Sequence, residues 1–395
     1  MSQIAALQLE ATFRAFVNIF RIFGLFPFYY NSVERRFYAC NISLAYSVFY
    51  SAGYIYFFAR IKWLIFVHLS SDQSQYNRFL ITAALMTMYA GVVTTNLVAI
   101  LYRRRFLRLF NGLMQLWYRI RADANFKLDR KLLSNFLFKI FVVDLGCCVA
   151  ISIYGISSGV AVSVPYDTMY HVFNFLVNAT FTNLFVVVSY LGAHYYRLIN
   201  VRISAAYRKI EEVSTKNVVR KRLVCSRLVR ELHQLAQWHG VLNQLIHEFT
   251  DLHSASLAVM ILKNFVIMVG ALFGAYVCTV VEVLLGLAPV FNLFAFHMLM
   301  AFFFFMQFYY LVTSAAKLTR RAEKTSAILG DLTSIDESDE RLENMIETFS
   351  LQLMHRNHKI QNKGMFDIDY SLMYAALATM MNYLIIAVQF QITTA

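Results

Sequence analysis

The sequence predicts an all-α, polytopic membrane protein with seven transmembrane helices, and three observations carry that reading. The chain of 395 residues is 59% hydrophobic and only 15% charged, whereas soluble domains average about 25% charged residues. Seven stretches are long enough, as helix, to cross a bilayer core, which takes about 20 apolar residues. Lys and Arg gather on alternate connections between those stretches.

The N-terminal run TFRAFVNIFRIFGLFPF is interrupted by Arg14 and Arg21 and lacks a small-residue cleavage site. It reads as an amphipathic helix at the membrane surface, not as a cleaved signal. The expected spans follow as Phe37–Ala59, Phe79–Tyr102, Phe136–Ser158, Tyr170–Tyr195, Ala255–Leu285, Val290–Ala315 and Ser371–Gln391. Nine Lys or Arg lie between spans two and three (Arg103 to Lys131), ten between four and five (Arg197 to Arg230) and eight between six and seven (Lys317 to Lys363). The opposite side holds Arg60, Lys62 and Arg78, and the connections AVSVPYDTM and GLAP and the tail ITTA hold none. The positive-inside rule therefore predicts a cytoplasmic N-terminus and an extracellular C-terminus. This is opposite to a G-protein-coupled receptor. It also accounts for the net charge of +13 through anionic membrane lipid, with no need for nucleic acid.

Two connections read as helix. Leu228, Leu232, Leu235, Trp238, Leu242, Leu245, Phe249 and Leu252 recur at intervals of four or three, the stripe of a packed helix. It runs into span five, so spans four and five are expected to extend below the membrane as a helix hairpin. A second stripe, Leu342, Ile346, Phe349 and Leu353, precedes the last span, behind the acidic run Asp336 to Glu340. Together these predict a helical cytoplasmic bundle.

No enzyme signature is present: there is no phosphate-binding loop, no dinucleotide fingerprint and no nucleophile elbow, and no cofactor is expected. His247, Glu248 and His253 do not have zinc-site spacing, and His355 and His358 read as a solvated helix face. The five Cys are irregularly spaced and read as small buried residues. Asn41 and Asn178 head sequons but fall at or within spans. Asp144 and Lys263 lie within spans at similar depth; either they pair, or Lys263 snorkels and Asp144 bonds locally. Gly270 and Gly274 form a small-residue pair suited to close helix packing within the chain. In the outer halves of the spans, Tyr89, Tyr154, Ser157, Tyr170, His171, Asn174, Asn178, Tyr276, Glu282, Asn292 and His297 combine apolar faces with a polar handle. Such groups suit an outward-opening ligand pocket, although core packing would serve for any one of them.

The last span, SLMYAALATMMNYLIIAVQF, carries Asn382 and Gln389 seven residues apart. Seven residues turn a helix by about 700°, so the two share a face. Ile385 and Ile386 lie between them, and Tyr383 and Phe390 form the neighbouring stripe. A polar and an apolar stripe side by side suit a pore gated by dewetting, with Phe390 closing the outer mouth and Asn382 and Gln389 facing ions. Hydrogen bonding of the polar pair between helices is the alternative.

The end of the chain resembles the insect gustatory receptors, whose signature is Thr-Tyr, five hydrophobic residues and Gln-Phe. Tyr383, Leu384 to Val388, Gln389 and Phe390 match it, with Asn382 in place of the Thr. Ser350, Gln352, Leu353, His355, Gly364, Phe366 and Asp369 match the approach to that signature, and GLFPF (Gly24 to Phe28) is also typical. Leu384 stands where sugar receptors tend to have an acidic residue, so the resemblance is to the remaining family, most of it associated with bitter compounds but with fructose and carbon dioxide branches as well, which leaves the ligand open. It implies a ligand-gated, non-selective cation channel for small-molecule tastants, in the plasma membrane of sensory neurons. It also implies a homo- or hetero-tetramer with other gustatory subunits, a pore lined by the last span, and a ligand pocket among spans two to six. The expected organisation is then an interfacial segment at 1–36, a ligand-sensing region at 37–315 with extensions at 196–254, a cytoplasmic anchor at 316–370, the pore helix at 371–391 and an extracellular tail at 392–395. The alternatives are a co-receptor subunit that binds no tastant and, with less support, a transporter, for which no internal repeat or broken span pair is visible.

Overall fold

The computed structural model describes residues 17–68, 75–122, 130–157, 165–214, 218–281, 291–333 and 340–394. After a helical turn at 17–22, a hairpin of β1 (Phe28–Asn31) and β2 (Arg36–Ala39) leads into helices α1 (Asn41–His68), α2 (Gln75–Leu101) and α3 (Arg103–Ala122). Next, α4 (Arg130–Phe138) passes through a π-helical segment, Lys139–Gly146, into α5 (Cys147–Ser157). The hairpin of α6 (Pro165–Ser214) and α7 (Val218–Leu252) precedes α8 (Ser254–Tyr276), which ends in a π-helical turn, Val277–Val281. The chain closes with α9 (Phe291–Thr333), α10 (Glu340–Met354) and α11 (Tyr370–Thr394).

Six helical stretches among the described residues are long and apolar enough to cross a membrane, and α1 occupies the remaining expected span. Its start differs from expectation. Phe37 to Ala39 belong to β2, paired antiparallel with β1 in the register Phe28↔Ala39 to Asn31↔Arg36. Asn111 of α3 holds this hairpin, accepting from the Phe37 N–H at 2.8 Å and donating to the Phe37 carbonyl at 3.0 Å. GLFPF turns the chain back into that contact. Gly24 has φ +71°, which strains any residue with a side chain, and a Cβ there would crowd the Tyr50 ring at 3.1 Å; Phe26 packs edge-on against Phe28, Phe37 and Phe110.

The core runs through both the spans and their extension. Leu228, Leu232, Leu235, Trp238, Leu242, Phe249 and Leu252 are buried along α7, with Leu245 packed at the margin. Leu342, Ile346, Phe349 and Leu353 are buried along α10, which packs on α7 and α9. The two stripes thus face one another across a helical bundle beyond the spans. Of the acidic run before α10, only Glu340 falls within the described residues. Among the Cys, Cys40 is half-buried and the other four are buried.

Candidate functional site

Helix α11 starts from a well-capped end. The Asp369 carboxylate accepts from the backbone N–H of Ser371 at 2.9 Å and of Leu372 at 3.2 Å, satisfying donors that the first turn leaves open. Upstream, Gly364 has φ +71°, in a tight turn where the Asn362 and Ile368 N–H groups bond to Phe366 and Ile360. The positions noted at 364 and 369 therefore have backbone reasons.

The helix packs on α8 and α9 through Met373, Met380 and Ala387, a buried stripe with a spacing of seven. Asn382 and Gln389 each stand two residues beyond a member of that stripe, about 200° around the helix, and so point away from their own chain. Both are exposed, as are Ile385, Ile386, Tyr383 and Phe390. Ile385 shares the outward face with the polar pair. Tyr383 turns back toward the chain, its ring edge-on to Phe265 of α8 at 5.9 Å, and Ile386 and Phe390 lie on that flank. Only 17% of the α11 span is buried, against 78% for Asn174–Ala206. An apolar helix left this bare needs lipid or other subunits around it.

The outer-pocket candidates divide. Asn174 accepts from the Tyr54 hydroxyl, and Tyr54 stacks on Tyr89, which stacks on Phe58. One turn along α6, Asn178 donates to the Asn174 carbonyl at 2.8 Å and accepts from Lys263 Nζ at 2.7 Å. Lys263 also lies 5.5 Å from the Phe304 ring centre. Tyr89, Asn174 and Asn178 are thus brought together, and Asn178 is a buried partner of a cation, not an accessible sequon. His297 lies elsewhere, pressed against Gly274: a Cβ on that glycine would stand 2.5 Å from the imidazole. Gly274 therefore serves close packing of α8 on α9, whereas a Cβ on Gly270 would meet nothing. Tyr276 stacks on Phe273. Tyr154 and Asn292 are half-buried, and Ser157 is exposed at the end of α5. Glu282 and the side chains of Tyr170 and His171 lie outside the described residues.

Asp144 and Lys263 do not pair. Asp144 binds Lys139, whose Nζ lies 3.0 and 3.1 Å from its two oxygens. Asn183 of α6 and Gln307 of α9 close the cluster, each accepting from Lys139 and donating to Asp144. Five residues separate Lys139 from Asp144, too many for α-helical neighbours. The π-helical turn brings them together, and within it the Cys147 N–H reaches the Val142 carbonyl.

Beyond the spans, the segment leading to α11 docks on α7. His239 is buried with its ring 4.8 Å from that of Tyr196 and edge-on to His358 at 5.3 Å. Arg356 lies against Gly240, and His247 binds the Asn357 carbonyl at 2.7 Å. His358 is thus half-buried in a joint, not on the solvated face expected of it, while His355 is exposed. No metal-binding group of three His, Cys, Asp or Glu occurs among the described residues.

Burial, and then His358 and Arg356, push His239 down to about 3. Burial lowers His358 as well. A histidine held neutral in the fold takes up its proton on unfolding. Its contribution to stability is therefore complete above its ordinary value of 6.5 and is lost as pH falls from there toward 3. The slope is about 1.4 kcal/mol per pH unit for each proton. The melting temperature in detergent should fall below pH 6.5, and His239→Phe should flatten that fall; an equal slope in the variant would remove His239 as its source.

The family profile described as 7tm Chemosensory receptor matches residues 13–394. No curated protein matches the chain. Among solved structures, the insect olfactory receptor OR5 from Machilis hrabei aligns with a TM-score of 0.63 at 14% identity, over 97% of this chain and 99% of that one. The same receptor in complex with eugenol aligns with a TM-score of 0.63 at 13% identity over the same shares. At this identity the likeness establishes a shared fold, and the family match spans nearly every described element. The chain, a multi-pass membrane protein, belongs to the 7tm chemosensory receptor family.

Proposed function

We propose that this chain is a gustatory receptor subunit of a ligand-gated, non-selective cation channel, responding to bitter or other non-sugar tastants. The observation that carries the reading is the outward face of α11, where Asn382 and Gln389 point directly away from the buried Met380 and Ala387 stripe. Four such helices around an axis would present those groups to a common lumen, in a closed ring of the kind oligomers favour. The N-terminus is cytoplasmic on this reading, the α7–α10 bundle holds the subunits together, and the channel sits in the plasma membrane of sensory neurons. The fold shared with a receptor solved in complex with eugenol supports a small organic ligand.

A co-receptor role has one observation in its favour. The polar groups of Asn174 and Asn178 are engaged by Tyr54 and Lys263, within the chain itself.

Single-channel recording tests the pore. Gln389→Ala is expected to change unitary conductance, and Phe390→Ala to raise resting open probability. Unchanged conductance, selectivity and resting closure in both variants would sink the assignment. Calcium imaging of cells expressing the chain alone, against bitter and sugar panels, separates a tastant-binding subunit from a co-receptor.

A further inference from the structure

We infer that the junction of α2 and α3 is a binding site for the headgroup of a multiply phosphorylated inositol lipid. A groove of about 490 Å³ opens there, lined by Ile100, Leu101, Tyr102 and the guanidinium groups of Arg103, Arg104, Arg105 and Arg108. The apolar span Thr82–Leu101 ends one residue before Tyr102, so the arginines begin at the depth where lipid phosphates lie.

Three features leave this cluster short of an anion. Among the described residues, none of the four guanidinium groups forms an ion pair. The Nη1 of Arg103 is shut off from solvent without a hydrogen-bond partner. The first turn of α3 contains no acidic residue, although the start of a helix disfavours cations and is where carboxylates normally stand. A covering anion would pair the exposed guanidinium groups and offset the unfavourable helix start. Arg105 is steadied by its place 5.6 Å from the Tyr102 ring centre.

Four forked donors within six residues match several phosphates better than one, because each guanidinium can take two phosphate oxygens. The apolar wall points to a lipid and not a free phosphate. Leu101 is 71% exposed and shares the groove with the arginines, where an acyl chain can cover it. The inference goes beyond the channel reading and rests on the membrane placement of α2 with its arginine-bearing end on the cytoplasmic side, where inositol lipids lie.

The test uses the full chain in detergent, with native mass spectrometry as the readout. Phosphatidylinositol bisphosphate is expected to bind more tightly than phosphatidylserine. Replacing Arg103, Arg104 and Arg105 together by Gln should weaken binding by on the order of 100-fold, from about fivefold per basic residue. Replacing Arg222, Arg227 and Arg230 of α7 by Gln removes the same charge elsewhere and should leave binding nearly unchanged. Should the first variant fail to fold, Arg104→Gln with Arg108→Gln, both exposed, gives the same comparison. Equal loss in the α7 variant would overturn the site, as would equal affinity for the two lipids. Displacement of the lipid by soluble inositol trisphosphate at equal concentration would overturn the lipid as occupant. Each measurement is independent of conduction, so a failed pore assignment would leave the result intact.

Discussion

Asp144→Asn is expected to destabilise the chain by about 3–5 kcal/mol, the cost of removing one partner from a buried ion pair. Lys139 and Asp144 have side chains 0% and 4% exposed. Around the ammonium stand both Asp144 oxygens, Asn183 Oδ1 at 2.6 Å and Gln307 Oε1 at 3.0 Å. The carboxylate in turn accepts from Asn183 and Gln307, each at 2.7 Å. Both side chains are shut off from solvent, so a charge left alone at this depth has no exposed position to turn to. The melting temperature of the purified protein and its surface expression should both drop. Replacing the pair together, Lys139→Met with Asp144→Leu, should recover part of the loss: no charge is left stranded, while the Asn183 and Gln307 amides each lose both of these partners. Wild-type melting in Asp144→Asn would show that the cluster does not hold these three spans together.

Gly274→Val is expected to cost about 1–3 kcal/mol by overpacking the contact between α8 and α9. The Cβ alone would stand 2.5, 2.7 and 2.8 Å from three atoms of the His297 ring. Such distances require the ring or a helix to move. The ring also meets that of Phe296 edge-on, with centres 5.4 Å apart. His297→Ala on the Gly274→Val background should restore stability. If that second change brings no recovery in thermal melting, the close approach is not what the glycine is for.

The helical stripes were legible because burial repeats with the helix period. The Leu228 to Leu252 and Leu342 to Leu353 series are visible as sequence and buried as structure. So was the common face of Asn382 and Gln389, since a spacing of seven nearly closes two turns. Lys139 and its partnership with Asp144 were not, because a separation of five has meaning only once the π-helical turn exists. Tyr54 and Gln307 were invisible for another reason. A lone polar group in an apolar run does not reveal which other span it will meet. Lys263 shows the same limit, for its partner Asn178 is 85 residues away. The β-hairpin was hidden by hydropathy, since Phe37 to Ala39 are as apolar as the helix that follows. Gly24 and the bidentate hold of Asn111 exclude them from α1.

The joint beneath α11 turns that helix into a lever. Its lower end is fixed, with Arg356 lodged against Gly240, His247 tied to Asn357, and Asp367 bound to Lys359 at 2.8 Å across the intervening turn. From Tyr370 to Phe390 the helix spans 21 residues, a length of about 30 Å. A tilt of only about 5° about the fixed end would carry Phe390 sideways by roughly 2–3 Å over that length. Small shifts in how α7 holds the segment would therefore arrive at the far end multiplied, and in the pore proposed above they would decide whether Phe390 leaves the outer mouth wet or dry.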